Sequence, residues 1–116
     1  MQVLQSDLSG LERYFAFRNK ERIAEMLNLE LLQFVLEARD QILKYFPSAE
    51  LVLEWQDDPE EEPLSGLILW VETELEVEEA YKVRKQFGEN WWYANSNRLQ
   101  SRLSVLVESK AETCLN

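Results

Sequence analysis

Residues 50–79 read ELVLEWQDDPEEEPLSGLILWVETELEVEE. From Glu50 to Gln56, Leu51, Leu53 and Trp55 alternate with Glu50, Val52, Glu54 and Gln56. That is the two-residue period of a strand with one face in a core. Leu67 to Thr73 repeats it, with Leu67, Leu69 and Val71 on one side and Ile68, Trp70 and Glu72 on the other. Between the two runs lie Asp57, Asp58, Pro59, Glu60, Glu61, Glu62, Pro63, Ser65 and Gly66, a loop composition. The stretch predicts an antiparallel hairpin with an extended acidic loop.

Upstream, Ser9 and Glu12 have capping-box spacing, and Leu8, Leu11, Tyr14 and Phe15 follow at three- and four-residue steps, predicting a first helix over 10–17. Asn19 can cap a short helix over 20–27, with Ile23, Met26 and Leu27 inward. Asn28 opens the main helix, whose stripe is Leu32, Val35, Leu36, Arg39, Ile42, Leu43 and Phe46. Leu31 and Phe34 fall off that stripe and are expected against the N-terminal helices. Pro47 ends the helix, because it offers no amide and biases Phe46 away from helical geometry.

Downstream, Glu76, Glu78 and Glu79 suit a helix start. Val77, Ala80, Tyr81, Arg84, Phe87 and Trp91 follow helical spacing past Gly88, so the helix is expected to run to about Tyr93. Adjacent helical residues point about 100° apart, so Trp91 is assigned to the core and Trp92 to an edge or interface. Leu103, Val105 and Val107 alternate with Ser104, Leu106 and Glu108 in a last strand.

These elements predict an α+β domain, a two-layer sandwich in the order helices-β-β-α-β. Its three-stranded sheet has helices on one face and a half ferredoxin-like arrangement. The 116 residues make one domain, with 1–7 and 110–116 expected as frayed tails. A chain of this size buries roughly 65% of its unfolded surface and needs no disulfide staple. The single Cys114, the absence of a signal-like N-terminus and the lack of a long apolar run lead us to expect a cytoplasmic protein, with no membrane partner.

Net charge is −10, and it is unevenly placed. Residues 50–79 hold twelve acids and no Lys or Arg. Such a field repels phosphate, which disfavours direct nucleic-acid binding, and attracts a basic surface or a cation. The alternative is a solvated loop that only aids solubility. The candidate partner-binding residues are Asp57, Asp58, Glu60, Glu61 and Glu62.

On the second sheet face, Val52, Ile68, Trp70 and Leu106 sit inside a ring of Glu50, Glu54, Glu72 and Glu108. An apolar centre with a charged rim is the anatomy of an interface, here of a homodimer. The other possibility is that residues 10–17 fold beneath the sheet and cover it.

With no histidine, the usual nucleophile dyads and imidazole metal sites are excluded. Three scattered glycines make no phosphate loop. The loop carboxylates could ligate a hard cation, although their spacing is not that of a calcium-binding loop. The expectation is therefore a protein that is not an enzyme and has no cofactor. Its acidic hairpin would engage a basic protein partner; the alternatives are a metal-dependent carboxylate enzyme or a purely structural homo-oligomer.

Ile23–Leu27, FPSAELVLEW at 46–55, DDPE at 57–60, EEA at 78–80 and F-x-x-x-W-W at 87–92 together resemble a family of small uncharacterised bacterial proteins of cyanobacterial type. The likeness spans about residues 15–108 and departs at Gly88, where an Asp is usual. It implies no catalytic residue; by analogy it suggests the partner half of a pair, antitoxin- or inhibitor-like.

Overall fold

A computed structural model describes residues 10–57, 66–97 and 103–111. In chain order the elements are β1 (Ala16–Arg18), α1 (Lys20–Met26), α2 (Leu29–Tyr45), β2 (Glu50–Gln56), β3 (Gly66–Thr73), α3 (Val77–Phe87) and β4 (Leu103–Ser109). α3 continues through a π-helical segment, Gly88–Trp92, into a last turn, Tyr93–Asn95.

The class is α+β, as expected, but among the described residues the sheet has four strands rather than three, in the order β1-β2-β3-β4. β1 runs parallel to β2, β2 antiparallel to β3, and β3 parallel to β4. The half ferredoxin-like arrangement is therefore corrected. Each strand lies beside its sequence neighbour, and a strand, β1, follows the turn at residues 10–14.

The missing strand comes from the segment expected to be the first helix. Tyr14 and Phe15 donate to the Leu11 carbonyl, both at 2.9 Å, and the helical backbone stops there. The chain then extends, and Ala16, Phe17 and Arg18 align with Val52, Leu53 and Glu54. Pairing with an existing strand satisfies backbone groups that one frayed turn would leave in water. Ser9 of the expected capping box lies outside the described residues.

Both asparagine caps form. The Asn28 side chain accepts from the Leu31 amide at 2.8 Å, and Asn19 accepts from the Arg22 amide at 3.3 Å. Asn19 does so in the left-handed region, at φ 58°. Leu11, Phe15, Ile23, Leu27, Val35, Ala38, Ile42 and Phe46 pack in one cluster with Leu51, Leu53, Trp55, Leu67, Leu69, Val71 and Leu103. The helices thus share one face of the sheet.

Phe34 is buried, but not as expected: it meets the far end of α3. Its ring stacks on Trp92 at 5.9 Å and 10°, and lies 6.1 Å from Trp91. Phe87 is within 5.8 Å of Trp91 and 6.2 Å of Trp92. Both tryptophans are half-buried against the core, so the edge assignment of Trp92 is corrected. In the π segment the Tyr93 amide bonds the Gly88 carbonyl, five residues back. Each residue there turns through less than the 100° of an α-helix, which keeps neighbouring rings on one side. A Cβ on Gly88 would lie 2.5 Å from the Tyr93 ring, so a glycine fits where that ring folds back.

β4 continues one step beyond its last paired residue. The Lys110 amide donates to the Thr73 carbonyl at 2.7 Å, so Lys110 is not part of a frayed tail. Residues 1–9 and 112–116 lie outside the described residues.

Candidate functional site

The strand register converts the alternation of the hairpin into rows on the second face of the sheet. One row is Ala16, Val52, Trp70 and Leu106; the next is Arg18, Glu54, Ile68 and Ser104. A third sets Glu50, Glu72 and Glu108 side by side on three adjacent strands. Like charges directly opposite one another across strands are unfavourable.

Arg18 organises the middle of this face. Its guanidinium lies 5.4 Å from the Trp70 ring centroid, within range of a cation–π contact. Its Nη1 donates to Glu54 Oε1 at 3.3 Å and its Nη2 to Glu72 Oε2 at 3.4 Å. Trp70 Nε1 donates to the same Glu54 oxygen at 2.7 Å. Lys110 Nζ is 3.8 Å from Glu72 Oε2. Glu72 is thus flanked by two cations, and its side chain is only 11% exposed. Glu50 and Glu108 remain exposed.

The four residues expected at a dimer interface do share this face. Val52 and Ile68, however, are 7% and 8% exposed within a single chain. A second copy on this face would gain apolar cover chiefly from Trp70, half-buried, and Leu106, 38% exposed. Residues 10–17 do not provide the cover: Leu11 and Phe15 join the core on the helix side, and β1 extends the sheet edge.

Asp57 closes the far end of β2. Arg22 of α1 holds it with both arms of its fork, Nε to Oδ2 at 2.9 Å and Nη2 to Oδ1 at 2.8 Å. The indole of Trp55 donates to Oδ1 at 3.0 Å. The hydrogen bonds from Arg22 first, and from Trp55 second, hold the Asp57 carboxyl below the usual range. Arg22 in turn is pushed above its ordinary value by Asp57 and then by Glu25, which accepts from Nη1 at 2.8 Å. Asp57 therefore fixes the loop end of the hairpin. Asp58, Glu60, Glu61 and Glu62 lie outside the described residues.

The acidic block reaches both ends of the hairpin. Glu50 and Glu72 sit at one end of the hairpin with Glu74, Glu76, Glu78 and Glu79 close in sequence; Asp57 sits at the other end. Six strand residues separate the ends, about 24 Å at about 3.4 Å per residue. That exceeds the roughly 10 Å screening length at 0.1 M salt. Between them Glu54 is held by Arg18 and Trp70, and Asp57 is held by Arg22, so part of the hairpin's charge is compensated within the chain.

Sequence reasoning missed Arg18 and Arg22. Their partners are 36 and 35 residues away, and only the strand pairing and the α1 packing bring them together. No spacing in the sequence points from either arginine to its carboxylate partner.

Among the described residues no group of three or more acidic or cysteine side chains converges to hold a metal ion. No described helix is long and apolar enough to cross a membrane. The fold and the face together define a small α+β protein with a mixed four-stranded sheet and an acidic, aromatic open side. Comparison with protein-family models, curated proteins and solved structures gives no match.

Proposed function

We propose that the protein is a non-catalytic protein–protein interaction protein that presents its acidic sheet face to a basic partner, in the manner of an inhibitor or antitoxin. The observation that carries this is the row Glu50–Glu72–Glu108 on three adjacent strands, of which, among the described residues, only Glu72 has cations beside it. A basic side chain from a partner would relieve that repulsion and add a field that steers encounter. Asp58, Glu60, Glu61 and Glu62 form the second acidic contact, while Asp57 keeps the hairpin in place.

The test is a pull-down from source-cell extract at low and high salt, with Glu50→Gln/Glu108→Gln beside the wild type. A stoichiometric basic partner should appear at low salt, fall away at high salt, and bind the double variant more weakly. Recovery of no stoichiometric partner, or of one indifferent to both salt and the double variant, overturns the proposal.

A further inference from the structure

α3 carries an apolar stripe that the core leaves uncovered. Val77 and Tyr81 are 62% and 60% exposed. With Ala80 and Arg84 they follow the steps of one helix face and line a groove of about 450 Å³. Its opposite wall is Val107, Glu108 and Ser109 of β4. β4, seven residues long, is an edge strand of the sheet among the described residues. Such an edge is a template for another strand.

We propose that this side is where a second copy of the chain docks. The two β4 strands pair antiparallel about a two-fold axis, the sheets join into one of eight strands, and each α3 lies along the other. The groove shares Glu108 with the acidic face, but its apolar stripe of Val77 and Tyr81 belongs to α3 on the helix side of the sheet, so the inference does not depend on the hetero-partner reading.

Spacing supports it. α3 links β3 to β4, seals the core through Val83 and Phe87, and walls the groove beside β4. Across a β4–β4 junction, two such helices stand about two strand spacings apart, near 10 Å, at which helices pack side by side.

Charge identifies the occupant as a second copy. α3 is acidic in its first half, Glu76, Glu78 and Glu79, and basic in its second, Lys82, Arg84 and Lys85. An antiparallel copy sets each acidic half against a basic half. Glu78 and Lys85 lie seven residues, two turns, apart and share a strip beside the apolar stripe. Both are exposed, and neither has an ion pair with another described residue. A two-fold axis near Tyr81 brings Glu78 to Lys85 of the second copy, twice. The same patch meets itself, as a symmetric dimer requires. On the other side of β4 the junction also shelters Leu106.

Sedimentation equilibrium tests this, with circular dichroism confirming that each variant is folded. The wild type should be a dimer. Tyr81→Glu should be a folded monomer, and Glu78→Lys should weaken the dimer by roughly tenfold or more through two reversed pairs. Glu78→Lys combined with Lys85→Glu should restore it. Trp70→Glu, on the sheet face, should leave the dimer intact. A wild type that is monomeric at about 100 μM, far above the Kd of ordinary specific dimers, overturns the proposal. So does a dimer that survives Tyr81→Glu, fails to recover in the charge-swapped chain, or dissociates with Trp70→Glu.

Discussion

At the scale of single residues, Asp57 shows how a side chain can look like a contact residue in the sequence and serve the fold instead. It opens a run of acids, yet Arg22 occupies both of its oxygens and Trp55 shares one of them. Its carboxyl is held below the usual range by these bonds, so ionised Asp57 stabilises the folded chain above the ordinary carboxylate value of about 4. That contribution disappears as pH falls through the depressed folded value. Asp57→Asn should melt below the wild type at neutral pH, and the two melting temperatures should converge in acid. A gap that stays constant across the titration would show that the carboxylate charge is not what holds the loop end of the hairpin. No sequence pattern links Arg22 to Asp57, because their pairing is made by α1 packing beside β2.

Among the elements, those with long periodic signals were legible. The stripe of α2, the alternation of β2, β3 and β4, and the continuation of α3 past Gly88 all follow their spacing. β1 was not legible. Three residues, Ala16–Arg18, are too few to display a period, and the apolar steps before them fit a helix equally well. The π segment was hidden for a different reason: a rule that separates neighbours by about 100° assigns Trp91 and Trp92 to different faces, and the wider turn overrides it. Helix starts were readable from side-chain chemistry. Asn19 combines two roles, cap and left-handed backbone. Asn19→Gly should be nearly neutral, since glycine loses the cap bond but relieves φ 58°. Asn19→Ala loses the cap and keeps the strain, and should cost about 1–2 kcal/mol in urea unfolding. Equal stabilities for the two variants would mean that the left-handed backbone of Asn19 is not a constraint.

Over the whole molecule, the open face was legible as rows of residues but not as a surface. Alternation put Val52, Ile68, Trp70 and Leu106 together; it could not show that Arg18, on a strand absent from the expected sheet, lies over the Trp70 ring. The order in which the strands lie has a bearing on how the chain reaches its native state. Every neighbouring pair in β1-β2-β3-β4 is also consecutive along the chain. No strand has to be threaded between two others, so the sheet can zip outward from the β2–β3 hairpin, each step closing only the loop to the next strand. The two parallel pairings still join distant residues, Ala16 with Val52 and Leu67 with Leu103, so contact order is that of a mixed α/β domain, and refolding should be single-exponential on a millisecond timescale. A stopped-flow chevron with a rollover, or a main phase lasting seconds, would indicate instead that docking of the long helix against the sheet limits the rate. With β1 last to join and only three residues long, the N-terminal edge should be the first part of the sheet to exchange its amide protons.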